Sequence, residues 1–135
     1  MKKALLIIVA MLAMCTVASA QSTAKVKVIN QQEMMSLFDM NSGLALKPMV
    51  IDFNATWCGP CRKLAPVLEE LAAEYEGRVD FYSIDVDQNK ELAKALEIQS
   101  IPYVLFFSPS KEDPEEMIGF DTKEEVVLNI EKILK

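Results

Sequence analysis

The sequence predicts one α/β domain, a mixed sheet with helices on both faces, on three observations. Apolar runs of strand length alternate with stretches of helical spacing from end to end. Two of those runs are buried strands: Met49–Phe53, and Tyr103–Phe107, which is apolar throughout and reads as covered on both faces. No linker, repeat or low-complexity block divides the chain, and its 135 residues suit one domain better than two.

The first twenty residues read as an address rather than fold. Lys2 and Lys3 precede a continuous apolar run, Ala4–Met14, and Ala18-Ser19-Ala20 has the small-x-small pattern of a signal-peptidase site. Cleavage is expected after Ala20, leaving residues 21–135 as the mature domain. Two alternatives stay open on these residues. Ala4–Ala20 is at the short limit for an uncleaved membrane anchor. Cys15 is a candidate for acylation, although Met14 stands where a small residue is wanted.

The elements then follow in order. Lys25–Val28 alternates as a half-exposed strand, and Gln31–Met40 has helical spacing that Asn41-Ser42-Gly43 stops. Met49–Phe53 is the first buried strand. Leu64, Val67, Leu68, Leu71, Ala72 and Tyr75 mark one face of a long helix closed by Gly77. Val79–Val86 is the next strand, and Leu92–Leu96 a short helix. Tyr103–Phe107 reads as a central strand, Ser108–Pro114 as a polar, solvated turn, and Glu115–Gly119 as an edge strand. Thr122-x-x-Glu125 is a capping box opening the last helix, whose apolar side is Val126, Val127, Ile130, Ile133 and Leu134.

Composition removes several function classes. Lys+Arg is 14 against 20 for Asp+Glu, a net charge of −6, which argues against a broad grip on nucleic acid. Histidine is absent, so Ser-His-Asp and Cys-His catalysis and all His-containing metal sites are excluded. With Cys15 in the leader, the mature chain keeps two cysteines, both in Trp57-Cys58-Gly59-Pro60-Cys61. A pair so close closes almost no loop and adds little stability through chain entropy, which favours reactivity over stapling. Half a zinc site would need two more ligands, and the mature chain has no other Cys and no His.

This pentapeptide follows a buried strand and opens an amphipathic helix. At positions i and i+3 of a first turn, Cys58 and Cys61 are neighbours within disulfide range. The free N–H groups and positive end of the helix favour a thiolate, so the Cys58 pKa is expected to fall. Pro60 suits the first turn, where its missing N–H costs nothing, and Gly59 lets another chain approach closely. Asp52 is a lone acid within an apolar strand, and burial would raise its pKa toward neutrality. A solvent-facing Asp at the strand end fits the same spacing.

These residues together resemble the thioredoxin family over roughly residues 25–135. The resemblance rests on the pentapeptide, Asp52 six residues before Cys58, Pro66 in the following helix, Ile101-Pro102, Asp85-x-Asp87-Gln88-Asn89 and Gly119. It implies that Cys58 is the attacking cysteine, exposed at the tip, and Cys61 the more buried resolving one. It implies that Asp52 handles the Cys61 proton and that Pro102 is a cis-proline facing the dithiol. The Ile101 backbone would pair with a bound peptide, and Trp57 would shield the site, although ordinary core packing of Trp57 is an alternative. Pro66 would kink the helix, unless the helix starts after it.

Two positions depart from the family pattern. Asn54 stands where a second Trp is common, and Ser83 where a Lys often accompanies the buried Asp. Loss of that cation is expected to raise the Asp52 pKa or leave its proton path to water. Met34, Met35 and Met40 include soft thioethers that suit copper, but at helical spacing they read as core.

The resemblance implies a thiol–disulfide oxidoreductase that needs no metal or organic cofactor. It would reduce disulfide-bearing protein substrates and draw electrons from a membrane thiol–disulfide donor. Gly59-Pro60 resembles the reducing members. With the export signal, the expected location is the periplasm of a Gram-negative bacterium, and the expected mature form a soluble monomer. Two other readings remain at this stage: a disulfide-forming oxidant, and a binding module in which the cysteines are incidental.

Overall fold

In a computed structural model, residues 25–39, 41 and 46–135 are described. The leader with its Ala20 site and Cys15, together with Met40, lies outside them. The elements are β1 (Lys27–Val28), α1 (Gln31–Leu37), β2 (Met49–Asn54), α2 (Gly59–Glu74), β3 (Asp80–Asp85), α3 (Lys90–Ala95), β4 (Tyr103–Phe107), β5 (Glu115–Ile118) and α4 (Lys123–Ile133). The order is the one the sequence predicts. The sheet runs β1-β3-β2-β4-β5, with β1 and β2 parallel to β3, and β2–β4 and β4–β5 antiparallel. It is therefore mixed.

Alternation along β2 distributes the two cores. Val50 joins Leu64, Leu68 and Leu71 of α2 and Val126, Ile130 and Ile133 of α4 on one face. Met49, Ile51 and Phe53 pack on the other, against Met34 of α1 and Leu92 of α3. Asp52 and Asn54 share the parity of Val50, so both are on the α2 face. In β3, Phe81 belongs to that same core, so Ser83 also faces α2. Register completes the arrangement, because Asp52 sits opposite Ser83.

Several expectations need correction. The central strand is β2, buried at every position but its last, and β4 lies between it and the edge strand β5. In β4 only Val104 and Phe106 are buried among the strand residues, because the α1–α3 side covers Tyr103, Leu105 and Phe107 in part. The first strand shrinks to Lys27–Val28, both exposed, since the Val26 N–H donates to Glu69 Oε2 at 3.2 Å instead of to a neighbouring strand. Met34 is core but Met35 is 64% exposed, as adjacent helical positions point about 100° apart. In the 108–114 turn, Ser108 is buried and its hydroxyl pairs with that of Ser110 at 2.9 Å, while Glu112, Asp113 and Pro114 are exposed.

Helix ends follow capping chemistry. The Glu125 N–H donates to Thr122 Oγ1 at 3.3 Å, as the motif predicts. A full capping box also opens α1. Glu33 N–H donates to Asn30 Oδ1 at 2.9 Å, and Asn30 N–H to Glu33 Oε2 at 2.8 Å. Asn30-x-x-Glu33 carried that signal in the sequence.

Candidate functional site

The central strand ends at Asn54, and a short turn delivers Cys58 to the start of α2. Cys58 is the N-cap of that helix, in extended conformation, and Gly59 and Pro60 form its first positions. The helix therefore begins at the pentapeptide, and Pro66 is inside it rather than before it. Cys58 and Cys61 form a disulfide with a Cα separation of 5.3 Å. The Cys61 N–H donates to Cys58 Sγ at 3.3 Å, so the sulfur occupies the place a capping oxygen usually takes.

Both cysteines are buried, Cys58 at 3% and Cys61 at 4% exposure. Cys58 is thus not the exposed tip the resemblance implied, nor is Cys61 the more buried of the two. Ile101 and Val86 pack against the cluster of Ala55, Cys58 and Cys61, and Ile101 O lies 3.8 Å from Cys58 Sγ. The open approach is instead in front of Gly59, where an added Cβ would meet no atom within 4 Å. Trp57 and Pro60 beside it are exposed.

Trp57 is 67% exposed, which sets aside the core-packing alternative. Its indole Nε1 donates to Asp87 Oδ2 at 2.8 Å, so the ring is held rather than loose. Asp87 lies in the Asp85–Asn89 stretch, but only register and chain path reveal it as the partner of Trp57. A groove of about 240 Å³ beside the ring is lined by Trp57, Val86, Ile98, Ser100 and Ile101. The Ile101–Pro102 peptide is cis, Pro102 is buried, and its carbonyl accepts from the Gly119 N–H at 2.8 Å. Of the expected substrate-contact residues, Trp57 and Ile101 share this groove. Gly59, Pro60 and Pro102 are not on its wall.

A second pocket of about 240 Å³ opens on the other side of the disulfide, lined by Asp52, Asn54, Cys61 and Ser83 with Arg62 and Glu69. Asp52 is buried at 3%, which sets aside the solvent-facing alternative. Burial pushes its carboxyl up to about 6, and the hydrogen bond from Asn54 works in the opposite direction. Asn54 Nδ2 donates to Asp52 Oδ2 at 2.9 Å, whereas Asp52 Oδ1 has no hydrogen-bond partner among the described residues. The two positions that depart from the family pattern are thus linked to this carboxyl in sequence, Asn54 directly and Ser83 through Asn54. The i, i+2 spacing of Asp52 and Asn54 was the signal for one of them. Nothing local to Ser83 announced the other.

No group of three or more His, Cys, Asp or Glu side chains among the described residues could hold a metal ion. No described helix is long and apolar enough to cross a membrane. The chemistry that the arrangement offers is that of a disulfide beside a buried acid, with the Trp57–Ile101 groove on one flank and the Asp52 pocket on the other.

Comparison with known proteins gives a consistent result. The family model Thioredoxin matches residues 25–132. Thioredoxins of Staphylococcus aureus strains Mu50 and MW2 are each 42% identical over 96 residues, covering 71% of this chain and 91% of theirs. Among solved structures, chloroplastic thioredoxin z superposes with a TM-score of 0.71 at 32% identity, over 81% of this chain and 94% of that one. A Malassezia sympodialis thioredoxin, described as an allergen, gives 0.69 at 28% identity, over 83% and 93%.

Proposed function

The chain belongs to the thioredoxin family, and on that premise we propose that it is an exported reductase of protein disulfides. At the coarser level it is a thiol–disulfide oxidoreductase that works through its Cys-x-x-Cys pair without a further cofactor. The observation that carries the finer reading is the Cys58–Cys61 disulfide on the first turn of α2, flanked by the Trp57–Ile101 groove and the Asp52 pocket.

The cycle starts from the reduced pair. The Cys61 N–H and the helix N-terminus favour the Cys58 thiolate. That thiolate attacks one sulfur of a substrate disulfide, and the other substrate sulfur leaves as a thiolate. Trp57, Gly59, Pro60 and Ile101 form the surface against which the substrate chain lies, its backbone added beside Ile101, while Pro102, expected there as well, is buried. Asp52, ionised above about pH 6, accepts the Cys61 proton across their shared pocket. The Cys61 thiolate then attacks Cys58 Sγ, closes the disulfide and expels the second substrate thiolate. Two electrons have passed to the substrate. A membrane thiol–disulfide donor restores the dithiol.

Export rests on the basic start, the apolar run and Ala18-Ser19-Ala20 of the leader, with cleavage after Ala20 and residence in a Gram-negative periplasm. The intact mass of the exported protein distinguishes this cleavage from acylation at Cys15 and from a retained anchor. The direction of the chemistry is tested by the equilibrium reduction potential of the Cys58–Cys61 pair against a thiol buffer. A value below the glutathione couples supports the reductase. An oxidising value overturns it and assigns the same pair to disulfide formation.

A further inference from the structure

Asn54 and Ser83 have no part in the cycle above, yet Asn54 hydrogen-bonds its buried acid and Ser83 hydrogen-bonds Asn54. We propose that Asn54, steered by Ser83, is a positioning residue that keeps Asp52 ready for the Cys61 proton and sets the pH range of the resolving step. This rests on the role of Asp52 given under Proposed function.

The amide nitrogen of Asn54 has two hydrogens. One goes to Asp52 Oδ2 at 2.9 Å and the other to Ser83 Oγ at 2.7 Å. A third approach, to the Asp52 carbonyl at 3.4 Å, is the weakest. The reverse orientation of the amide would set its oxygen against an ionised carboxylate, lone pair against lone pair, so charge on Asp52 selects the observed one. Ser83 sits opposite Asp52 in the strand register and is placed to fix the plane of the amide.

The consequence for the carboxyl is directional. A donated N–H favours the carboxylate over the acid, and here it opposes the effect of burial. It also occupies Oδ2 and leaves Oδ1 free to take a proton. The pocket that holds Asp52, Asn54, Ser83 and Cys61 has an exposed rim at Thr56, Arg62 and Glu69, so the proton has a way out to water. The charged groups facing Asp52 come from α2: Arg62 and Glu69 on the rim, and Cys61 once reduced. The other neighbours are Val26 just before β1, Val28 of β1, Ser83 of β3 and the register partner Val104 of β4, none of which titrates at neutral pH.

The test is a carboxyl-carbon NMR titration of Asp52 in the oxidised protein, for the wild type, Asn54→Leu and Ser83→Ala. The pH–rate profile for reduction of insulin disulfides is recorded on the same three proteins. Asn54→Leu is expected to raise the Asp52 midpoint by about one pH unit, with a smaller rise for Ser83→Ala, and the rate profile is expected to move the same way. An unmoved midpoint in a natively folded Asn54→Leu overturns the proposal. If that variant does not fold, Ser83→Ala decides alone, and its unmoved midpoint has the same force. A midpoint that moves while the rate profile stays also overturns it. Asp52→Asn, assayed alongside, separates the two ideas. If it slows turnover while the Asn54 result fails, the base reading survives and the positioning role does not.

Discussion

The indole of Trp57 donates to the carboxylate of Asp87 across 2.8 Å, tying the residue before the disulfide to the turn after β3. This bond holds a 67% exposed ring as one wall of the groove beside Ile101. Asp87→Ala frees the ring, so a substrate must then order it on binding. A hydrogen bond of about 1 kcal/mol corresponds to a rise in KM of about fivefold, with kcat nearly unchanged. Steady-state reduction of a protein disulfide checks this, and an unchanged KM would remove Asp87 from the binding surface.

Asp52 links function to stability. Its folded-state pKa is raised from 3.8 to about 6, so the folded protein holds this proton more tightly than the unfolded chain does. Stability from this group is therefore complete below about pH 4 and is lost as pH rises through about 6. At neutral pH the buried charge costs about 3 kcal/mol. Asp52→Asn is expected to stabilise the oxidised protein by up to that amount near pH 8 and by little near pH 4. Denaturant unfolding at the two pH values checks it, and an equal gain at both would contradict the buried-charge account.

The same substitution removes the proton acceptor. Turnover near neutral pH is expected to fall by about a hundredfold, the lower range for general base catalysis, while the first attack by Cys58 is preserved. Rapid-mixing experiments that resolve mixed-disulfide formation from its resolution distinguish the two steps. An unchanged overall rate would rule out the base role.

Cys61→Ser should convert the protein into a trap. The Cys58 thiolate still attacks, but no second sulfur is placed to expel the substrate, so a covalent complex accumulates. Cys58→Ser should give no such complex, because the substrate backbone docks beside Ile101, whose carbonyl lies 3.8 Å from Cys58 Sγ. Mass spectrometry under non-reducing conditions reads both outcomes, and a complex formed through Cys61 would reverse the assigned roles.

Much of this arrangement was legible in the chain. Strand and helix spacing gave the element order, since each apolar stripe must find a core. Cys58, Cys61 and Asp52 stood out by chemistry: two close thiols at a helix start and a lone acid in an apolar strand. Other features depend on contacts between distant segments. The burial of Cys58 comes partly from Ile101, some forty residues on, which no local pattern reveals. Ser83 reaches the Asn54 amide only because β2 and β3 pair in one register, and a slip of one residue would turn it to the opposite face. Asn54 was half visible, sharing the face of Asp52 by its spacing, while its orientation depended on Ser83.

The position of β2 has a consequence for durability. It is paired along its length by β3 on one side and largely by β4 on the other, and covered by both cores. Its amides should exchange with solvent deuterium only through global opening, making it the slowest-exchanging segment of the domain. Asp52 lies within that segment, and Cys58 hangs four residues beyond its end. The acid and the sulfur thus share a mounting that local fluctuations leave undisturbed, and repeated rounds of oxidation and reduction need not loosen their alignment.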